Sequence, residues 1–498
     1  MPRVNLPLQP SFIKQAIRTA CVAGTMLWLS ACVSVSTPEL MAGIRPSTVP
    51  VTVDSVAGDD DLVRLARGQN QGILNTYGGS YSDSKLELSV ARIVGKLVAV
   101  SPNPTQTYNI TILNSPQINA FALPGGYLYI TRGLLALAND SSELAAVIAH
   151  EMAHVLANHG IQRARLEARE ALAGRVISEV WQDRADVEQS KLRGKLRLAQ
   201  FSREQELEAD TIGIDLIAKA GFDPYAAVRF QRSMASYSAF RRNLGETDDS
   251  LDFLASHPSA PQRQALAEAR ARTFGPVGTG ARERDQYLAG LDGLLFGDSA
   301  EEGFVRGTKF AHPGLGIAFD VPSGFSIDNT AAAVLATGPG DAAIRFDGAK
   351  LAANVAITDY LASGWVGGLD AATIKPLTIN GLEAATGKAF AKNWQFDVTV
   401  IRVGDGVYRI LTAAPGASDP EPIAAIVRNS FRALSATERA AIKPLRLKIV
   451  VAKSGETAST FATRMNEVDR PQELVRLLNG LGATGSISVG DKVKVVSD

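Results

Sequence analysis

Three of the five histidines in this 498-residue chain fall within ten residues, and two of them bracket a glutamate in His150-Glu151-Met152-Ala153-His154. Residues four apart on an α-helix stack on one face, so both imidazoles can reach a single ion with Glu151 beside it. The flanks support a helix: Asp140 or Ser141 can cap its start, Glu143 suits a capping box, apolar residues run from Leu144 to Leu156, and Gly160 offers a stop. The plainer alternative is an ordinary buried helix with two histidines. It would leave Glu151 and two imidazoles among alanines and aliphatics without polar partners, which a metal would supply. The spacing predicts a site for zinc, one ion per chain.

A catalytic zinc needs a third protein ligand and one open position. Ser202-Arg203-Glu204-Gln205-Glu206-Leu207-Glu208-Ala209-Asp210 lies in a run of helical periodicity from about Leu198 to Ala220, ended by Gly221. Glu206 and Asp210 share a face there. Glu206 is the expected third ligand, with Asp210 one turn on accepting a hydrogen bond from the second nitrogen of a liganding histidine. Glu204 and Glu208 lie about 200° around the helix from Glu206 and are expected to face solvent.

These segments resemble the zinc metallopeptidases related to the CAAX prenyl protease and HtpX, and within them the soluble periplasmic branch of the beta-barrel assembly-enhancing type. Asn119-Ala120-Phe121-Ala122-Leu123-Pro124-Gly125-Gly126 matches that family's edge-strand element, Ala220-Gly221-Phe222-Asp223-Pro224 follows its second metal helix, and Ser256-His257-Pro258 with Arg263 matches its late His-Pro motif. The likeness covers roughly residues 60 to 272. It implies that His150, His154 and Glu206 hold zinc, that Glu151 is the general base for a metal-activated water, and that the strand at Asn119 and Ala120 pairs with an extended substrate. His257 keeps three readings: a donor to the tetrahedral oxyanion, a displaceable fourth zinc ligand, or a structural residue before Pro258. His159 is expected at the surface near the helix end, where a cation suits the dipole. His312 has no local constellation.

Arg3, Lys14 and Arg18, a short apolar run from Thr19 to Leu29, and Leu29-Ser30-Ala31-Cys32 have the pattern of a lipoprotein signal ending in a lipidated cysteine. An ordinary export signal is the alternative, and it would leave Cys32 as a free thiol. Loss of Cys21 with the signal and acylation of Cys32 would leave no thiol for a disulfide. Val33 after the cysteine points to the outer membrane rather than the inner, so the chain is expected in the periplasm, lipid-anchored. No later stretch reaches the roughly 18 apolar residues of a membrane helix. Charge balances at zero with no basic block, so nucleic acid is not an expected partner.

The expected architecture is multidomain. A signal peptide over 1–31 and a tether over 32–59 precede a mainly α, zincin-type metallopeptidase with a small edge sheet over 60–275, interrupted by a charged insertion from Ile161 to Gln200. A linker over 276–302 leads to an α+β domain over 303–436. Its strands are expected at Gly316–Val321, Ala342–Phe346, Phe396–Val403 and Val407–Ala414, and it faintly resembles PsbP-type domains. Residues 446–498 resemble a LysM module, a β-α-α-β unit that implies peptidoglycan binding, although Ala458 replaces the usual leucine. Two function classes result: a zinc endopeptidase acting on unfolded or misassembled envelope and outer-membrane proteins, or an inactive peptidase serving as chaperone or wall-attached scaffold. Candidate attachments are the membrane through Cys32, peptidoglycan, and the outer-membrane assembly machinery.

Overall fold

The computed structural model describes residues 60–160, 162, 202–244, 253, 257, 261–330, 333–391, 393–465, 467–482 and 484–498. The expected signal and tether, with Cys32, and all of the insertion but Gln162 lie outside them. The described residues fall in one unit, Pro46–Asp498.

Helix α1 (Asp60–Thr76) and helix α2 (Ser84–Ala99) lead into a three-stranded sheet of β1 (Asn109–Leu113), β2 (Ala120–Leu123) and β3 (Tyr127–Thr131), ordered β1-β3-β2. Asp83 caps α2 by accepting the Lys85 and Leu86 amides, and the helix buries Leu86, Val90, Ile93, Val94 and Leu97 at three- and four-residue spacing. Pro124-Gly125-Gly126 turns β2 back along β3, both glycines at positive φ (83° and 82°). A Cβ on Gly126 would lie 2.1 Å from the Thr107 carbonyl oxygen. The turn leaves β2 as the sheet's edge.

Next come α3 (Arg132–Leu137), α4 (Ser141–Leu156), α5 (Arg203–Lys219), α6 (Ala226–Leu244), α7 (Pro261–Arg272) and α8 (Arg284–Leu291). Every residue of α4 from Ser141 to His154 is buried, the polar Ser141, Ser142, Glu143, His150, Glu151 and His154 along with the apolar ones. It ends at Leu156 rather than at Gly160, because Asn158 takes the left-handed conformation (φ 56°) and breaks the turn.

The expected linker is folded. Ala281 bridges to Phe222, α8 packs on α2, and β4 (Leu295–Phe296) pairs with a strand near the C-terminus. A β-rich region follows. It holds β5 (Phe304–Arg306), β6 (Lys309–His312), β7 (Ile317–Asp320), β8 (Ser326–Asn329), β9 (Val334–Thr337), β10 (Ala343–Lys350), α9 (Ile357–Ala362), β11 (Leu369–Ile379), β12 (Leu382–Ala391), β13 (Trp394–Val403), β14 (Gly406–Pro415), α10 (Glu421–Ser430) and β15 (Arg432–Ala433). Seven strands form an antiparallel sheet ordered β11-β12-β13-β14-β10-β9-β8, and β15-β7-β6-β5 form a second. Phe310, Phe319, Phe346, Tyr408 and Phe431 fill the space between. His312, without local partners in the sequence, lies against the Glu301 carbonyl (3.1 Å) and accepts the Leu315 amide, a structural role.

Helix α11 (Ala436–Ala441) leads to a final β-α-α-β segment: β16 (Leu445–Val451), α12 (Ala458–Ala462), α13 (Pro471–Leu478) and β17 (Lys492–Ser497). It shares one hydrophobic core with the helices before it, since Leu447, Phe461, Val475, Val493 and Val496 cluster with Leu134, Val147, Ile148 and Leu291. Lys494, fully buried, places Nζ 2.7, 3.2 and 2.9 Å from the carbonyl oxygens of Ala136, Leu137 and Ala138. These are the open carbonyls at the end of α3, where an ammonium suits the helix dipole.

Candidate metal centre

Helix α4 is anchored at its start. Asp140 caps it by accepting the Glu143 amide, and Arg229 of α6 reaches Asp140, Glu143 and Asp223 together. Its partner α5 begins with a reciprocal capping box between Ser202 and Gln205. The two helices meet closely at Gly213, where a Cβ would stand 3.2 Å from the His150 amide nitrogen.

Their contact brings four donors to one point. His150 Nε2 lies 3.1 Å from His154 Nε2 and 3.2 Å from His257 Nδ1. Glu206 Oε1 is 2.9 Å from His257 Nδ1 and 3.4 Å from His154 Nε2, and its Oε2 is 3.5 Å from His150 Nε2. All four side chains are buried. Ligands around a tetrahedral zinc at ~2.0–2.1 Å stand about 3.3 Å from one another, so the donor set fits a four-coordinate ion. Imidazole and carboxylate are also the ligand types such an ion takes. His257 is carried in by Phe253, whose ring stacks on it (centroids 4.4 Å apart, planes 21° apart) and whose carbonyl accepts the His257 amide.

A second layer orients the first. His150 Nδ1 lies 3.1 Å from Asp210 Oδ1, and an N–H donated there leaves the Nε2 lone pair facing the cluster. Burial favours the neutral His150 ring, yet the hydrogen bonds to Asp210 and Glu206 carry it up to about 10: the carboxylates demand a positive charge at this point. Against the same burial, the charge of Arg263 holds Asp210 down to about 2, and His257 holds Glu206 well below the usual carboxylate range. Burial pushes His154 well down.

Glu151 projects beside the cluster. Its Oε1 accepts no hydrogen bond from the described residues and lies 3.5 Å from His257 Nε2. The Ala122 amide, on the edge strand, donates to its carboxylate. Burial raises Glu151, the direction a proton-accepting and proton-returning group requires. The arrangement can hold a metal, keep a base next to it, and present a strand edge alongside.

Two sequence-based expectations are corrected. His159 is buried (1% exposed), because the left-handed Asn158 folds it back over α4: its Nδ1 lies 3.0 Å from His154 Nδ1. Glu208 is half-buried and meets His159 Nε2 at 3.3 Å, whereas Glu204 is exposed as expected. Membership of the histidine cluster was the one sequence signal for His159. Asn119 also differs from its expected part. Its amide donates to Thr131 Oγ1, its carbonyl accepts from Thr131, and its side-chain amide donates to Tyr77 Oη, so it builds the strand. The alternation of an antiparallel pair then turns the main-chain groups of Ala120 and Ala122 away from β3, toward the open edge.

Residues 84–271 match the family model described as peptidase family M48. The chain is 30% identical over 210 residues to the mitochondrial metalloendopeptidase OMA1 of Schizosaccharomyces pombe, covering 40% of this chain and 58% of that one. It is 28% identical over 284 residues to the putative beta-barrel assembly-enhancing protease of Vibrio cholerae, covering 53% and 54%. The chain thus spans little more than half the length of these relatives. Among solved structures, cyanobacterial PsbP from Synechocystis aligns at 10% identity and a TM-score of 0.20 over 28% of this chain and 98% of its own, too low a score to carry an argument. Both helices of the donor cluster lie within the stretch that matches the peptidase family M48 model.

Proposed function

We propose that the protein is a zinc-dependent endopeptidase in which His150, His154 and Glu206 hold one zinc ion and Glu151 is the general base. The observation that carries this is the convergence of three imidazole nitrogens and a carboxylate at 2.9–3.5 Å beside a buried glutamate whose Oε1 has no hydrogen bond. When bound, zinc would polarise a water and a peptide carbonyl. Glu151 takes a proton at Oε1 and returns it to the leaving amine nitrogen, while the Ala122 amide fixes the carboxylate's other side. Asp210 holds His150 in the liganding tautomer. His257 serves as a resting fourth donor that substrate displaces. Ala120 and Ala122 offer main-chain groups to an extended peptide, which selects unfolded segments over any single sequence.

The substrates are unfolded or misassembled proteins of the bacterial envelope, a reading supported by the name of the Vibrio cholerae relative and by the lipoprotein-type signal. Acylated Cys32 would tether the enzyme to the outer membrane on its periplasmic side; no helix among the described residues is long and apolar enough to cross a membrane. Residues 445–498 are given a structural part, supported by their share in the peptidase core.

The test is direct. The purified protein should hold about one zinc per chain and cleave unfolded casein. Glu151→Gln should keep the zinc and lose cleavage; wild-type cleavage by that variant would overturn the mechanism. Cys32→Ser should release the protein from the membrane fraction, and a wild type without lipid would remove the anchor.

A further inference from the structure

The two histidines of α4 have unequal surroundings. His150 gives its Nδ1 hydrogen directly to a carboxylate, that of Asp210. His154 Nδ1 meets the Nδ1 of His159 at 3.0 Å, with the rings edge to face (centroids 5.0 Å, planes 71° apart). Two ring nitrogens at that distance share one hydrogen, and something must decide whose it is.

Glu208 decides it. Its ionised carboxylate only accepts, so His159 Nε2, 3.3 Å from Glu208 Oε2, is the donor of that pair. In the neutral ring, the other nitrogen of His159 is then an acceptor. His154 Nδ1 therefore carries the shared hydrogen, and its Nε2 is left with a lone pair pointing at His150 Nε2 and Glu206. The reverse arrangement would put a hydrogen on the Nε2 that has to bind metal. Asp210 and Glu208 come from the same helix, α5, and serve successive turns of α4, the second through an intervening imidazole. The left-handed turn at Asn158 is what puts that imidazole in place.

We propose that His159 and Glu208 are positioning residues which set the tautomer and orientation of His154 for metal binding. This rests on the metal-site reading above, and its effect is on metal affinity before any effect on turnover. Losing a hydrogen-bond partner of a ligating histidine typically weakens metal binding about 10- to 100-fold.

The experiment measures zinc dissociation constants by competition with a chromophoric chelator, with thermal melting as the check on folding. His159→Phe keeps a ring but offers no acceptor, and should bind zinc about 10- to 100-fold more weakly than wild type. His159→Asn, whose amide oxygen can accept from His154 Nδ1, should recover most of that loss. Glu208→Ala should weaken zinc in the same direction, because it removes the carboxylate that His159 Nε2 donates to. Equal affinity in wild type and a folded His159→Phe would overturn the proposal and leave the metal site standing. If His159→Phe does not fold, Glu208→Ala decides alone, and unchanged affinity there overturns it. A wild type that takes up no zinc would instead remove the metal-site reading itself.

Discussion

Arg263 grips Asp210 at two points, Nε to Oδ2 and Nη2 to Oδ1, both 2.8 Å, while its Nη1 stands 2.6 Å from Glu206 Oε2. One guanidinium of α7 thus fixes both the carboxylate that orients His150 and the carboxylate in the donor cluster. A lysine can supply the charge but not the planar fork. Arg263→Lys should therefore fold and bind zinc about tenfold more weakly, read by chelator competition. Arg263→Leu should cost about 3–5 kcal/mol in urea unfolding, because it strands two buried carboxylates.

Gly213 sets the distance between the metal helices. A Cβ there meets backbone, the His150 amide at 3.2 Å and the Ala149 carbonyl carbon at 3.4 Å, and neither can rotate away. Gly213→Val should destabilise the fold by about 1–3 kcal/mol and weaken zinc binding, with Gly213→Ala milder in both. A valine variant with wild-type urea midpoint and zinc affinity would show that α4 and α5 yield easily.

If His257 is a displaceable donor, it competes with substrate at rest. His257→Ala should then raise the initial rate of casein cleavage at equal zinc occupancy. An oxyanion donor predicts the reverse, a fall of roughly a hundredfold for the loss of about 2.7–4 kcal/mol. An unchanged rate would leave His257 structural.

Lys494 gives a pH dependence. Burial pushes its ammonium down to about 7 from the ordinary 10.5. Between those values the unfolded chain holds a proton that the folded chain lacks, so this residue's contribution to stability grows as pH rises and is flat below the window. Lys494→Met lacks that growth and leaves the α3 carbonyls without their donor. Its deficit in urea midpoint should widen from about pH 7.5 to about pH 9.5. A deficit constant across that range would show the lysine keeping its proton when folded.

What the sequence made legible depended on regular helix. The 150/154 and 206/210 pairs need only a helical period to share a face, and both pairs do. His159 sits past the helix end, where one left-handed residue, Asn158, redirects the chain, and no period encodes that turn. The angle from Glu206 places Glu208 toward solvent, which is right for an isolated helix; a histidine from another segment then covers it. Residues 276–302 resemble a linker in sequence because α8 has only eight residues and its burial comes from distant partners such as β16. The strands ending near Val403 and Ala414 are visible from alternation, whereas β11 and β12 are not, since Ala, Thr and Gly fill much of β12 and β11 is broken by Pro376 and largely exposed.

The buried Lys494 is made long after the helix it completes. A ribosome finishes α4 more than 300 residues before β17 exists, counting from Leu156 to Lys492. Until then Ala136, Leu137 and Ala138 lack their ammonium and the shared core lacks its last strand. A core built this way closes only after β17 has been made, so the donor cluster on α4 and α5 waits for residues far downstream. Chains stalled before Leu445 should accordingly be digested by added trypsin in the α3–α4 region and take up little zinc; trypsin-resistant stalled chains would show that the shared core closes without residues 445–498.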